Sequence, residues 1–229
     1  MSEAQVFVNG GKVCFWPYGY NSFHCDVTGQ MKEGSNDIVV LLENREQSSR
    51  WYPGAGLYRK VRHITQPQVH VPIWGTYVTT PHIEKDHAVV SVRTKIEGVE
   101  KGSAVTLKTR ILDPDGHAVA CVTDTRLLHF GEIEQTLTVE NPTLWSPESP
   151  VMYFVETEVY AGGSVNTDWN MDRPEISIAD GTVPCDKVST RFGFRTIEII
   201  PDKGFFLNGE PRKFRGVCLH HDLGPLGAA

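Results

Sequence analysis

An all-β chain, built as two sandwiches of short strands, is the fold class this sequence predicts. Three observations carry that expectation. Runs of β-branched and aromatic residues recur at a spacing of roughly 8–12 residues. Clusters of Gly, Pro, Asn and Asp bound them. No stretch shows the apolar period of an amphipathic helix, although the tail "LGPLGAA" reads as a loop that could open one.

Each element has a local reason. "VFVNGGKVCFW" (6–16) reads as strand, Asn-Gly turn and strand, since Asn and Gly accept the positive φ of a two-residue hairpin turn. "DIVVLLEN" (37–44) and "GLYRKVRHI" (56–64) are β-branched and aromatic runs. "HAVVSVRTKIEG" (87–98) alternates apolar and polar residues as a half-buried strand should. "AVTLKTRILDPDGHAVACVT" (104–123) is a hairpin around Asp113-Pro114-Asp115-Gly116. "IEQTLTVE" (133–140) and "VMYFVETEVY" (151–160) continue the pattern, and "GFFLNGEPRKFRGV" (204–217) turns at Asn208-Gly209. The prolines of "ITQPQVHVP" (64–72) interrupt pairing and mark the seam between the sandwiches. Residues 162–184, rich in Gly, Asp, Asn and Pro, read as a long loop or hairpin tip. Residues 1–66 offer only four or five strands, so the chain is expected to start inside a domain.

Composition excludes several classes. Of 229 residues, 40% are apolar and 22% charged, an ordinary globular balance. The net charge of -6, with no basic stripe, argues against nucleic-acid binding. No apolar run is long enough for a membrane helix, and "MSEAQVFVNGG" has no signal-peptide pattern. The compartment stays open. Cys14, Cys25, Cys121, Cys185 and Cys218 are scattered, odd in number and without a C-x-x-C pair. They are expected to be buried free thiols.

Two segments carry candidate chemistry. In "SSRWYPGAGLYRKV" (48–61), Pro53-Gly54-Ala55-Gly56 forms a tight turn flanked by Trp51, Tyr52 and Tyr58, with Arg50 and Arg59 alongside. It reads equally as a packed loop with aromatic anchors or as a loop aimed at a sugar. In "RGVCLHHD" (215–222), two histidines and an acid follow an apolar run. A zinc site at Cys218, His220 and His221 lacks a well-spaced fourth ligand, so no metal is expected there. His82 and His87 read as solvated surface.

Taken in chain order, these blocks resemble glycoside hydrolase family 2. "VNG", "GYNSFHCDVTG", "NDIVVLLEN" and "SSRWYPGAGLYRKV" are similar to its jelly-roll sugar-binding domain, especially in β-galactosidases. "VENPTLWSPESPVMYFVETEVY" (139–160) resembles the end of its immunoglobulin-like domain. "TRFGFRTIEIIPDKGFFLNGEPRKFRGVCLHHDLGPLGAA" (190–229) resembles the approach to its (β/α)8 barrel. The resemblance implies three parts: a partial jelly-roll (1–66), an immunoglobulin-like sandwich (67–197), and the opening hairpin and first strand of a truncated TIM barrel (198–229).

It also implies a retaining glycosidase parent that hydrolyses terminal β-galactosides, with β-glucuronidase and β-mannosidase as alternatives. A free-standing carbohydrate-binding module is the competing class. His220 matches the position whose histidine contacts substrate hydroxyls, since barrel-strand C-termini face the site. His221 and Asp222 extend the same loop, and Cys218 departs from the asparagine that many members carry. Retaining chemistry needs two carboxyls, and the family's acid/base lies in an Asn-Glu dipeptide, which this chain lacks. No catalytic residue is therefore expected here, and Glu84, Glu97, Glu132 and Glu134 read as solvated charges. "FWPYGYNSF" (15–23) has no acid where a well-known member holds a sodium ion, so neither metal nor cofactor is expected. A carbohydrate is the expected partner of the parent, nucleic acid and membrane are not, and homo-oligomerisation is left open. The tail beyond 198, with Phe205, Phe206, Leu207, Phe214 and Val217, is expected to be disordered, to pack on the sandwich or to drive self-association.

Overall fold

The computed structural model describes residues 2–43, 56–57, 59–100, 103–127, 131–161 and 182–217. They fall into two compact units, one up to His63 and from Arg215 onward, the other Ile64–Phe214. Strands dominate both. Among the described residues the only helix is a 3₁₀ turn at Thr28–Gln30, and no helix is long and apolar enough to cross a membrane.

The first unit carries an antiparallel sheet of β1 (Ser2–Val8), β2 (Gly11–Tyr18) and β3 (Ile38–Glu43), in the order β2-β1-β3. Asn9 (φ 51°) and Gly10 (φ 84°) make the β1–β2 turn in the left-handed region, which Asn and Gly tolerate best. The Asn9 side chain also anchors the return of the chain. Its Nδ2 donates to the Gln30 carbonyl at 2.7 Å and to Asn36 Oδ1 at 2.8 Å, while its Oδ1 accepts from the Asp37 amide at 3.1 Å. Ala4, Val6 and Val8 are buried in alternation, as the period of a strand requires.

Two expectations are corrected in this unit. Cys14 and Cys25 are joined in a disulfide, their Cα atoms 5.8 Å apart. The eleven-residue separation gave no framework spacing, but the chain leaves β2 and folds back within bridging range. In the second unit, likewise, Cys121 is not a buried thiol but exposed, and Cys185 is half-buried. The run "GLYRKVRHI" is not a strand in its described residues, and Leu57 and Val61 are exposed. Arg59 at φ 68° interrupts the extended conformation that its composition favours.

The second unit is an immunoglobulin-like sandwich. Its strands are β4 (Thr76–Ile83), β5 (His87–Lys95), β6 (Ala104–Leu112), β7 (Ala118–Leu127), β8 (Glu132–Glu140), β9 (Tyr153–Ala161) and β10 (Asp186–Phe192). They form antiparallel sheets β4-β5-β8 and β10-β9-β6-β7. The segment before β4 is tied on by a bridge from His70 to Glu97 and by the Val71 amide, which donates to Asp186 Oδ2 at 2.8 Å. Gly98 makes this possible: at φ +75°, a Cβ there would lie 1.6 Å from the Gln68 carbonyl oxygen.

Between the sheets lie two apolar clusters. One gathers Ala88, Val90, Val92, Ile111, Leu137, Val139, Tyr153, Val155 and Phe194. The other gathers Val71, Ile96, Val105, Leu107, Ile133 and Val159. Along β6, β8 and β9 the inward position between the clusters is polar: Thr109, Gln135 and Thr157. The Thr109 hydroxyl donates to Gln135 Oε1 at 2.6 Å and lies 3.1 Å from that of Thr157. Gln135 Nε2 donates to the Leu107 carbonyl at 3.3 Å and to Asp124 Oδ2 at 3.1 Å. These bonds compensate most of what burying polar groups costs. Thr94, an inward residue of β5 opposite Ile133, has no hydroxyl partner among the described residues.

At the start of β9, Tyr153 points its ring into the first cluster, and its hydroxyl accepts the Thr143 amide at 3.0 Å. This tyrosine corner pins the β8–β9 connection to the sandwich. Tyr153→Phe keeps the ring and strands that amide, so it should cost about 1–2 kcal/mol. A denaturation midpoint shifted at constant slope would register the loss; an unshifted midpoint would show that the bond adds nothing.

Beyond β10 comes a small sheet, β11 (Ile197–Ile200), β12 (Gly204–Leu207) and β13 (Glu210–Pro211). The β12–β13 turn is Asn208-Gly209, both at positive φ. Asn208 fastens the hairpin to the sandwich, its Nδ2 donating to the Trp145 carbonyl at 3.0 Å and its Oδ1 accepting from the Thr196 amide at 3.0 Å. Leu207 is accordingly buried, while Phe214 and Val217 are exposed.

Candidate functional site

The residues expected to touch substrate, His220, His221 and Asp222, lie outside the described residues, as does Cys218. So do Arg50, Trp51, Tyr52 and Tyr58 of the sugar-aimed loop, and 162–181 of the long loop. What the structure does give is the platform leading to 218. Arg212 meets Glu148 in a two-pronged pair, Nη1–Oε1 at 2.6 Å and Nη2–Oε2 at 3.0 Å, and that contact holds the Glu148 carboxyl below its ordinary value. Phe205 and Phe214 pack with ring centroids 4.5 Å apart. Trp145 sits behind, its amide donating to the Phe194 carbonyl at 2.7 Å and the Arg195 guanidinium 5.0 Å above its ring. Gly193 leaves room for that indole, since a Cβ would meet the Trp145 Cβ at 2.9 Å.

A glycosidic site needs two carboxyls able to exchange protons or attack carbon. Glu156 and Glu158 share the outer face of β9, two residues apart, and are half-buried or buried. Ion pairs hold both. Arg110 Nη2 bonds Glu156 Oε1 and reaches Glu158 Oε1 at 2.6 Å. Lys187 Nζ lies 2.9 Å from Glu156 Oε2 and 3.5 Å from Glu158 Oε1, and the Tyr160 hydroxyl donates to Glu158 Oε2 at 3.0 Å. Burial alone would raise the Glu156 carboxyl, but Lys187 and Arg110 outweigh it and hold the group below its ordinary value. Such a carboxylate is a poor proton donor, and this cluster is a structural clasp. Sequence reading missed it, although "ETE" (156–158) places both acids on one strand face.

The solvated charges are where the sequence put them. Glu84 pairs with His82 at 2.8 Å, Glu134 accepts from the Ser91 hydroxyl at 2.7 Å, and Glu132 faces Arg93 at 3.7 Å. Glu97 is exposed. His87 bonds Asp86 at 2.8 Å, which raises the imidazole above its ordinary value. Asp113, Asp115 and His117 cluster in the β6–β7 turn, where Asp113 Oδ1 accepts the amides of Asp115 and His117. That geometry builds the turn itself.

Taken together, the described residues define an all-β chain whose second unit is an immunoglobulin-like sandwich, with the Glu156–Glu158 carboxylate pair on its sheet held by Arg110 and Lys187. Known proteins share this architecture. The signature of glycosyl hydrolases family 2 matches residues 69–172. The β-galactosidase BoGH2A of Bacteroides ovatus is 36% identical over 99% of this chain, and a putative β-glucuronidase of Formosa agariphila is 35% identical over 99%. The chain spans 25% and 20% of the length of these two relatives. Among solved structures, a glycosyl hydrolase family 2 member from Bacteroides cellulosilyticus superposes with a TM-score of 0.77 at 31% identity, covering 96% of this chain and 28% of that one. A β-glycosidase from Bacteroides vulgatus gives 0.79 at 29% identity, covering 99% and 26%. The chain belongs to glycosyl hydrolases family 2.

Proposed function

We propose that this chain is the non-reacting β-sandwich portion of a retaining glycosidase that hydrolyses terminal β-galactosides. The observation that carries this reading is the 36% identity to a β-galactosidase across 99% of the chain, over only 25% of that enzyme. The Glu156–Glu158 pair fits a structural role in this reading, because Arg110 and Lys187 hold both carboxylates. In this reading the sandwich works as a mount. The Asn208, Arg212–Glu148 and Trp145 contacts hold the segment entering 215–222, and His220, His221 and Asp222 bind sugar hydroxyls. A glucuronide is the second reading, favoured by the 35% identity to a putative β-glucuronidase.

Two measurements on the 229-residue chain test the proposal. Incubation with an aryl β-galactoside is expected to release no phenol above buffer. Turnover that survives repurification and scales with protein would overturn the non-reacting role. Histidine side-chain resonances of His220 and His221 should shift with galactose and stay put with glucuronate; the reverse preference would move the assignment to the glucuronide.

A further inference from the structure

We infer that the groove between the free edges of the two sheets, lined by Arg191 and Arg195, binds an anionic sugar unit, a pyranose carrying a carboxylate or a sulfate ester. A cavity of 460 Å³ lies there, bounded by Val78, Thr79 and Thr80 of β4 and by Met152, Phe192 and Ile197 beside the two arginines. This is the size range of small-ligand clefts. Among the described residues β4 and β10 are each the edge of their sheet, and the opening lies between them.

The lining chemistry selects the ligand. Among the described residues no acidic side chain borders the cavity, in a chain whose net charge is -6. Among the described residues Arg191 meets no carboxylate, and the Arg195 guanidinium meets only the Trp145 ring, 5.0 Å from its centroid. A cation–π contact of this kind forms no N–H···O bond, so the guanidinium donors are left for an oxyanion. Thr79 and Thr80 supply hydroxyls, while Phe192, Met152 and Ile197 offer apolar surface to the C–H face of a sugar ring. An added peptide strand fits less well. The β4 register shifts between Thr79 and His82, and Pro81 sits within that shift, so this edge is not a straight ladder to extend.

This inference does not depend on which glycoside the parent cleaves. Arginine Nε–H resonances of the chain are followed while glucuronic acid, galactose 6-sulfate or galactose is added. At least one anionic sugar should shift the Arg191 and Arg195 signals saturably, with galactose at least about tenfold weaker. Arg191→Ala, at an exposed edge position, should weaken that binding about tenfold or more while leaving the melting temperature unchanged, and Arg191→Lys should recover part of it. Whichever anion binds better identifies the oxyanion. Failure of both anionic sugars to saturate, equal binding of galactose, or full affinity in Arg191→Ala would each overturn the assignment.

Discussion

Phe194→Ala is expected to destabilise the sandwich by about 3–5 kcal/mol, the range for emptying an aromatic side chain from a packed core. Phe194 has no solvent exposure. Its ring meets Tyr153 edge-on at 4.8 Å and 83°, and Phe192 at 5.0 Å and 66°. Edge-to-face pairs of this kind add to the area they bury. The main chain at Phe194 also accepts the Trp145 amide and bridges Leu144 in parallel, so a collapse of the cavity would pull on the connection before β9. Chemical denaturation followed by far-ultraviolet dichroism measures the loss. A change below about 1.5 kcal/mol would mean that the neighbours close the gap and that Phe194 is not the hub of this cluster.

Arg110→Ala should cost about 3 kcal/mol, the low end for removing one partner of a buried ionic group. The guanidinium keeps 28% exposure, whereas Glu156 and Glu158 keep 16% and 12%. Its removal leaves two acids with Lys187 as their only cation among the described residues. The pH dependence gives a second check. Glu156 is held below its ordinary value of 4.5, so its contribution is present above that value and is lost as pH falls through the lower folded value. Lys187 is held above its ordinary 10.5, chiefly by its bond to Glu156, so its contribution is present below 10.5 and fades as pH rises past the folded value. The stability gap between wild type and Arg110→Ala should therefore be widest near neutral pH and should shrink on acidification. A gap constant down to pH 3 would show that Arg110 acts through packing alone.

Much of the second unit was legible because its strands obey a single rule. "HAVVSVRTK" and "EIEQTLTVE" alternate apolar and polar residues with few breaks (Val89, Thr94 and Gln135), and β5 and β8 bury every second residue as that pattern demands. The turns at Asp113–Gly116 and Asn208-Gly209 were legible for the same local reason: few residues tolerate those backbone angles. What escaped notice was decided by distant partners. The Cys14–Cys25 bridge depends on how the chain returns after β2, the Arg110 clasp on β6, β9 and β10 lying side by side, and the Arg191 groove on two edges that no local pattern locates. "GLYRKVRHI" failed in the opposite sense, since strand-like composition did not prevent Arg59 from leaving the extended region. His220 and His221, which lie outside the described residues, were read from resemblance alone.

The band of hydroxyls and amide through Thr109, Gln135 and Thr157 has a consequence for how the chain finds its alignment. Alternation by itself punishes a strand that slides by one residue but forgives a slide of two, because inward side chains stay inward. Here a slide of two between β6 and β9 would set Thr157 against an aliphatic neighbour of Thr109, and a slide of two by β8 would carry the Gln135 carboxamide away from Thr109 into oil. The band thus works as an index mark across the hydrophobic interior, making the wrong even-numbered slips expensive while the correct one is left intact.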